Sequence, residues 1–420
     1  MAELSGPSEN KVLKAGPVGR LKILQIFSRY LQRGGEEVFS EAFRRALGPS
    51  DTVENFEGSS AAWMGNAPLA RFSLPGRIFH DSTVAASLRA RQKSGSFDLW
   101  VIQNALPGLT PAVYETAFRL GVPVVHYLHN YRLGCTNGFL LNHGRPCERC
   151  LDGNFWPAFA TACWRENRLI SGMMGLVLRR VRALGTFHRV AAWIALNRGQ
   201  KDTHVRMGIP PEKIHVVPHF FEARDSVPPP KPDGDILFLG RLSPEKGLDV
   251  LLRAWALVRP GTRSLVIAGT GPEEASLRDL AKALKLSSVR FAGFVAPEDQ
   301  PALWAQTSFS VLPSIWHEPF PLSFLESWAH ARPVVASRVG AMAEEVTEGV
   351  TGFLAEPFSE NSLASKIQGM MDQPDQSVAM GRAGAKKVKE EHNRELWLQR
   401  IRQIFSNVLT PPGNREFFRP

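Results

Sequence analysis

The chain has 420 residues, which is long enough for two or three domains that each bury a core. With 44% hydrophobic and 21% charged residues and a mean hydropathy of −0.15, the composition excludes both wholesale disorder and a polytopic membrane protein. The net charge of +10 arises entirely in the first half: residues 1–220 carry 27 Lys and Arg against 16 Asp and Glu, whereas residues 221–420 carry 23 against 24.

The basic excess has two interpretations. It favours an acidic partner, such as a nucleic acid, an anionic membrane surface or a phosphate-bearing ligand, or it forms a solvated surface rich in arginine. Residues 1–20 are polar and contain no apolar segment of the kind found in secretory signals, so we expect a disordered tail and a cytoplasmic chain. The most apolar stretch, Leu169–Leu196, is interrupted by arginines. Any membrane attachment is therefore expected to be peripheral, on the inner face.

Apolar β-branched runs alternate with segments of helical periodicity through the first half, which is typical of a parallel sheet covered by helices. The predicted strands are Leu21–Phe27, Phe97–Gln103, Val122–Leu128, Trp193–Asn197 and Ile214–Pro218, and the predicted helices include Glu36–Leu47 and Pro111–Leu120. A proline-rich stretch at 226–235 can continue neither kind of element and is interpreted as a linker.

The same alternation restarts after this linker. The predicted strands are Ile236–Leu239, Ser264–Ala268, Val289–Ala292, Ser308–Leu312 and Pro333–Ser337, and the helices include Leu248–Leu257, Glu273–Leu284 and Leu322–His330. A final helix at Asn393–Leu409 is expected to pack back across the domains.

These elements predict an α/β protein with two Rossmann-like domains and a cleft between them. The first domain spans 21–225 and includes a cysteine-containing insertion at 130–165, the second spans 236–390, and residues 391–420 form the crossing helix and a tail. Open parallel sheets bind ligands at the carboxyl ends of their strands, so the active site is expected in the cleft.

Two features of the first domain lie at such strand ends. Gly34 and Gly35 stand between the first strand and its helix, where backbone amides and the helix dipole favour an anionic or polar ligand. The third glycine of a dinucleotide fingerprint is missing, which argues against a nicotinamide enzyme. His126 and His129 end the third predicted strand, and His129 either hydrogen-bonds a sugar hydroxyl or phosphate or is a structural histidine.

The loop that follows the first strand of the second domain carries two cations. Arg241 and Lys246 are placed to clamp a diphosphate, the first through its planar fork and the second as a point charge. The alternative is an ordinary solvated loop.

A second loop in this domain carries two carboxylates. Glu318 precedes a helix that begins near Pro321, and Glu326 lies in that helix, too far along it to share one proton with Glu318. Their separation suits two carboxylates that hold hydroxyls at opposite ends of a nucleotide-sugar. Alternatively, Glu318 is a helix-dipole partner and Glu326 forms a salt bridge.

Five motifs in the second half resemble those of glycosyltransferase family 4, in order and spacing. They are GRLSPEKG, AGTGPE, FAGFV, EPFPLSFLE and PVVASRVGAMAEEVTEGVTGFL, and the resemblance covers about residues 20–410. It implies the two-domain GT-B fold, a retaining hexosyltransferase that uses a nucleoside-diphosphate-sugar, and no metal or other cofactor in catalysis.

The resemblance also implies roles for individual residues. The implied catalytic residues are His129, Arg241, Lys246 and Glu318, and the implied donor-binding residues are Gly35, Arg241, Lys246, Phe294, Val295, Glu318, Phe320, Leu322 and Glu326. The acceptor is expected to be a glycan or a polyprenyl-linked hydroxyl, in polysaccharide or glycolipid synthesis at the cell surface. The alternatives are a non-catalytic sugar-nucleotide-binding module and a phosphorylase or epimerase of the same fold. A nucleic-acid partner is not expected, because the arginines are dispersed and no nucleic-acid motif occurs.

The four cysteines, Cys135, Cys147, Cys150 and Cys163, all lie in the region that follows His129. A C-x2-C pair flanked by two further cysteines in a cytosolic protein predicts a structural zinc site, reduced packed thiols or a redox pair.

Arginines interspersed with apolar runs follow the cysteines. They predict contact with an anionic membrane surface through Arg165, Arg168, Arg179, Arg180, Arg182 and Arg189, and the alternative is solvated helix faces.

Overall fold

The computed structural model describes residues 19–29, 34–59, 76–222 and 231–410, so most of the predicted tail and linker lie outside the described residues. Strands of the first domain are β1 (Lys22–Arg29), β2 (Thr52–Ser59), β3 (Leu99–Asn104), β4 (Val124–Tyr127), β5 (Leu141–Asn142), β6 (Arg145–Pro146), β7 (Ala192–Ala195) and β8 (Ile214–Val216). Its helices are α1 (Gly35–Leu47), α2 (Ser82–Gly95), α3 (Ala112–Leu120), α4 (Trp156–Ala160), α5 (Arg168–Ala183), α6 (Thr186–Arg189) and α7 (Arg198–Arg206).

The second domain repeats this arrangement. Its strands are β9 (Asp235–Leu239), β10 (Leu265–Ala268), β11 (Val289–Gly293), β12 (Thr307–Leu312), β13 (Val334–Ser337) and β14 (Gly352–Ala355). Its helices are α8 (Leu248–Trp255), α9 (Glu274–Ala283), α10 (Gln300–Gln306), α11 (Leu322–Ala329), α12 (Gly340–Glu345), α13 (Glu360–Asp372) and α14 (Pro374–Glu391), followed by α15 (Arg394–Leu409).

Two parallel six-stranded sheets confirm the predicted fold class. The strand order is β2-β1-β3-β4-β7-β8 in the first sheet and β11-β10-β9-β12-β13-β14 in the second. The order reverses between β1 and β3 and between β9 and β12, and these switch points are where such sheets bind ligands. The strands β2 and β14 were not predicted. The first is a half-buried polar edge strand without an apolar run, and the second has only four residues.

Successive residues of the central strands face opposite layers of helices. In β3, Trp100 and Ile102 belong to one buried cluster, and Leu99 and Val101 belong to another. The second cluster continues into the second domain and includes Trp397 of α15. The two domains therefore share a core on one side of the molecule.

The last helix fastens the two domains together. The ring of Trp397 lies edge-on against Phe43 of α1, with 5.6 Å between the ring centroids. Arg402 Nη1 lies 2.9 Å from the buried carboxylate of Asp51, which also accepts a hydrogen bond from the backbone of Leu21. The C-terminal helix thus packs on the first domain, although it follows the second domain in the chain.

A second connection lies nearer the cleft. Asn197 begins α7 and donates from Nδ2 to the carbonyl of Pro319 at 2.6 Å. The carboxylate of Glu344 accepts hydrogen bonds from the backbone amides of Arg198 and Gly199, at 3.0 and 2.7 Å. Because these amides form the N-terminal turn of a helix, they favour a negative charge.

Replacement of Gly269 by alanine tests how closely the β9 and β10 loops pack. Gly269 has φ of +139°, and a Cβ there would lie 1.8 Å from the carbonyl oxygen of Gly240. We expect Gly269→Ala to lower the free energy of unfolding by about 3 kcal/mol or more, because strain and backbone overlap add. The matched control is Gly369→Ala within α13, where nothing lies within 4 Å and alanine favours the helix. Equal unfolding free energies for the two variants would contradict the close approach.

Candidate functional site in the interdomain cleft

The loop after β9 holds the first predicted cation. Arg241 donates from Nη2 to Oε1 of Glu245 at 2.7 Å, and Ser243 donates to the same oxygen at 2.7 Å. Burial raises the pKa of Glu245, but the charges of Arg241 and Lys246 outweigh it, so this pKa lies below its ordinary value. A buried, ionised carboxylate therefore holds the side chain of Arg241 in place.

The carboxylate of Glu318 accepts several hydrogen bonds in the second loop. Its Oε2 accepts hydrogen bonds from Lys246 Nζ at 2.8 Å, Ser314 Oγ at 2.9 Å and Trp316 Nε1 at 2.7 Å. The carboxylate is almost fully buried. This arrangement joins the loops after β9 and β12, on either side of the switch point of the sheet.

The backbone of Glu318 is held as tightly as its side chain. Its carbonyl accepts a hydrogen bond from the amide of Ala341 at 2.9 Å. Gly340 has φ of +50°, and a Cβ at this position would lie 2.1 Å from the same carbonyl oxygen. The glycine in the PVVASRVG motif thus permits α12 to approach Glu318 closely.

His129 lies in the opposite wall of the cleft, at the end of β4. Its Nε2 donates to Oε1 of Gln103 at 2.8 Å, and its ring stacks between those of Tyr127 and His219. Burial lowers the pKa of His129 to about 3, with a smaller contribution from His126. His129 is therefore neutral at physiological pH and is suited to hydrogen bonding rather than to carrying a charge.

Sequence reasoning missed Glu36, the second residue of α1. Its carboxylate accepts hydrogen bonds from Asn130 Nδ2 at 2.9 Å and Asn104 Nδ2 at 3.3 Å. Burial raises the pKa of Glu36 above its ordinary value, although Asn130, Arg132, Arg241 and Asn104 oppose this effect. Arg241 belongs to the second domain, so part of the charge that lowers this pKa acts across the cleft.

A small recess with about 20 Å³ of free volume, roughly the room for one water molecule, lies beside these groups in the first domain. Its polar lining includes Gln103, Asn104, His129, Asn130 and Arg132. Within the described residues, Gln103 Nε2 and Arg132 Nε are buried without a hydrogen-bond partner. Buried donors that lack a partner are costly, so they identify a place where a ligand oxygen would be favourable.

The remaining predicted donor residues occupy different environments. Gly35 and Leu322 meet across the cleft, because a Cβ on Gly35 would lie 3.9 Å from Leu322 Cδ1. Phe294 is 72% exposed after β11, whereas the side chain of Phe320 is buried in the core that the domains share. Only the backbone of Phe320 is therefore available to a ligand.

The other two predicted donor residues are partly buried. Val295 packs beside the small cluster at β10, next to Phe294 in sequence. Glu326 is half-buried in the second turn of α11, five residues after Pro321, the residue that precedes this helix. The structure thus joins Lys246 with Glu318 and brings Gly35 next to Leu322. Arg241 lies on the same loop as Lys246, His129 lies in the first domain, and Phe294, Val295 and Glu326 lie in the second.

The four cysteines converge in the insertion that follows β4. The side chain of Asn137 accepts a hydrogen bond from Cys135 Sγ at 3.0 Å and lies 3.3 Å from Cys163 Sγ through Nδ2. Burial, followed by the neighbouring thiols, raises the pKa of Cys150 to about 11, and burial and Cys135 raise the pKa of Cys163 to about 12. All four are free thiols.

The free thiols of this insertion do not test the zinc prediction. In the described parts of the chain, the metal-competent group with ligand atoms within 4.8 Å of one another is Glu345, Glu391 and His392, and no trio of cysteines meets this distance. Lys387 Nζ lies 2.8 Å from Glu345, so that acidic group is an ion-pair cluster. The structural zinc therefore stays a prediction, together with the packed-thiol and redox alternatives.

Metal analysis of the purified chain separates these alternatives. A zinc site predicts about one zinc per chain by plasma mass spectrometry, lost in Cys147→Ser/Cys150→Ser together with thermal stability. Four titratable thiols without metal would identify packed thiols, and two thiols would identify a disulfide. Either of these results would contradict the zinc prediction.

Because several histidines are buried, we expect the free energy of unfolding to fall in mild acid. Burial lowers the pKa of His126 and His129 to about 3 and that of His204 to about 4, and it lowers the pKa of His219 well below its ordinary value. Each neutral ring stabilises the fold above pH ~6.5, the unfolded value, and this contribution falls as the pH drops towards the folded pKa.

The expected loss is about 1.4 kcal/mol per pH unit for each histidine below pH ~6.5, measured as the free energy of unfolding in urea. His129→Gln should reduce this pH dependence, whereas the exposed control His188→Gln should not. A free energy of unfolding that is constant between about pH 7 and about pH 5 would show that these rings do not titrate on unfolding.

Among the described residues, no helix combines the length and apolar character needed to cross a membrane.

Comparison with known proteins places both halves of the chain. A family profile described as Glycosyltransferase Family 4 matches residues 25–224, and one described as glycosyl transferases group 1 matches residues 220–387. A D-inositol 3-phosphate glycosyltransferase 2 of Catenulispora acidiphila is 36% identical over 380 residues, which cover 86% of this chain and 83% of that protein.

Other similarities are partial or structural. A glycogen synthase of Mycobacterium tuberculosis is 31% identical over 175 residues, and the match spans 41% of this chain and 42% of that protein. The crystal structure of HepE from Anabaena in complex with UDP-glucose superimposes with a TM-score of 0.68 at 18% identity, covering 92% of this chain and all of HepE, which shows the shared GT-B fold. The chain therefore belongs to glycosyltransferase family 4.

Proposed function

We propose that this chain transfers a sugar from a nucleoside-diphosphate-sugar to a hydroxyl of a glycan or polyprenyl-linked acceptor, with retention of configuration. The observation that carries this proposal is the pairing of Arg241 and Lys246 with buried carboxylates at the switch point of the second sheet. The similarity to HepE, whose structure contains UDP-glucose, supports a nucleotide-sugar donor. The similarity to a D-inositol 3-phosphate glycosyltransferase supports transfer to a hydroxyl.

The chemistry relies on stabilising the leaving group. As the bond between the anomeric carbon and the phosphate oxygen breaks, negative charge grows on the diphosphate, next to Arg241 and Lys246. Fixed charges in a cleft that excludes water stabilise such a transition state by several kcal/mol, an order-of-magnitude figure. The acceptor hydroxyl attacks from the face that the phosphate leaves, and its proton passes to the departing phosphate oxygen.

The first domain positions the two reacting groups. His129 is neutral, so it is suited to hydrogen-bond a hydroxyl of the transferred sugar without adding charge next to the developing cation. Glu36 belongs to the same domain and offers a hydrogen-bond acceptor to the acceptor alcohol. A site of this kind fits synthesis of a cell-surface polysaccharide or glycolipid, with the lipid-linked acceptor presented at the inner membrane face.

Donor binding tests the proposal directly. We expect one sugar among UDP-, GDP- and ADP-linked donors to raise the melting temperature of the wild type and to be slowly hydrolysed. Both effects should be lost in Lys246→Ala and in Glu326→Ala and kept in Lys386→Ala, a control on an exposed lysine of α14. Melting curves without donor establish that each variant is folded.

Glu36→Gln separates donor chemistry from acceptor binding. This variant should retain the donor-induced shift in melting temperature but transfer sugar at least about tenfold more slowly, because the carboxylate is on the first-domain wall. Proton NMR of the product should show the anomeric configuration of the donor. If no donor of the panel raises the melting temperature or is hydrolysed, or if the product has the inverted configuration, the proposal is wrong.

A further inference from the structure

Two helices of the insertion region expose large apolar side chains. In α5, Met174, Val177, Leu178 and Val181 are buried, whereas Leu169 and Leu176 are 73% and 50% exposed. Leu169 and Leu176 are seven residues apart, so they share one face of the helix. Trp156, the first residue of α4, is 66% exposed. Soluble surfaces seldom group such side chains without a partner.

The packing of α4 on α5 brings these residues onto one surface. A Cβ on Gly172 would lie 3.0 Å from Phe159 Cδ2, and one on Gly175 would lie 2.7 Å from Phe155 Cβ. The absence of side chains at the two glycines therefore lets Phe155 and Phe159 pack directly on α5. The ring of Trp156 lies 5.0 Å from that of Phe159, which packs on Gly172, one helical turn from both Leu169 and Leu176.

The charged residues of this segment are mostly positive. Between residues 156 and 183 there are five arginines and one acidic residue, Glu166. Arg168 and Arg179 are exposed, and their helical positions lie on the same side as Gly172, next to the exposed leucines. We call Trp156, Arg168, Leu169, Leu176 and Arg179 the α4–α5 surface.

Two other arginines of this segment have structural partners. Arg180 lies 2.5 Å from the carboxylate of Glu115 in α3. Arg182 donates to the carbonyl of Leu151 at 2.7 Å and stacks over Phe187. Of the remaining arginines, Arg189 lies over the ring of Phe118 and Arg165 takes part in a further interaction. The membrane contact that we argue for therefore uses Arg168, Arg179 and the apolar side chains beside them.

We propose that the α4–α5 surface docks this protein on an anionic membrane. The tryptophan and the two leucines would enter the boundary between headgroups and acyl chains, and the two arginines would contact lipid phosphates. The charge argues for this occupant, because a cluster of arginines around an apolar patch is complementary to anionic lipid. The purpose of the docking rests on the proposed function, in which a lipid-linked acceptor reaches the cleft.

The insertion also connects this surface with the cleft. The ring of Phe139 lies 5.0 Å from that of Trp316, whose indole donates to the buried Glu318 carboxylate. Phe155, at the start of α4, belongs to the same buried cluster as Trp316. A membrane bound at the α4–α5 surface would thus be attached to the wall of the active site through one packed core.

Vesicle co-sedimentation of the full chain tests the docking. We expect the wild type to bind vesicles containing about one third phosphatidylglycerol, and to bind pure phosphatidylcholine vesicles at least about tenfold more weakly. Leu169→Ser/Leu176→Ser and, separately, Arg168→Gln/Arg179→Gln should each reduce the binding to anionic vesicles about tenfold. The matched control is Leu257→Ser, which changes a leucine of similar exposure, 56%, in the second domain.

Three results would overturn the proposal: no binding of the wild type to anionic vesicles, equal loss of binding in the Leu257→Ser control, or a dimer in light scattering that only the leucine variant abolishes. The last result would assign the surface to a second copy of the chain. Melting curves verify that the variants are folded, and Trp156→Ala provides a second, single-site test of the same surface. Vesicle binding by a protein that no donor stabilises would contradict the proposed function and leave the docking intact.

Discussion

The candidate site of this protein depends on one buried carboxylate. A charge as deeply buried as that of Glu318 is tolerated only when nearby donors compensate for the water it has lost. Lys246, Ser314 and Trp316 supply these donors to a single oxygen, and they come from two loops that meet at the switch point of the second sheet. The shape of both loops is thus fixed by the need to satisfy this charge.

The same principle explains how two cations are held ready without a ligand. Arg241 is paired with Glu245, as Lys246 is with Glu318, so neither cation would have to be ordered on binding the diphosphate that we propose. Preorganised charges of this kind lose little entropy on binding and need little rearrangement during the reaction. The buried carboxylates also keep the two side chains from folding back into solvent.

The sequence predicted the architecture because the central strands are apolar runs, and it predicted the cleft because two such sheets are joined in series. It missed β2, a polar edge strand whose pairing with β1 is visible only in three dimensions. It also missed Glu36, because the two asparagines that bind its carboxylate lie 68 and 94 residues away in the chain. The spacing of cysteines identified a cluster but did not give the distances between sulfurs, which depend on the course of the insertion.

The hydrogen bonds at the start of α7 have a mechanical consequence. Asn197 holds the carbonyl of Pro319, which follows Glu318 directly, and Glu344 is anchored to the amides of the same helix turn. The loop that carries the central carboxylate is therefore tied to the first domain as well as to its own sheet. Any rotation of one domain against the other must strain or break these bonds. A change in the angle between the domains would therefore change the geometry around Glu318, and a change around Glu318 would change that angle.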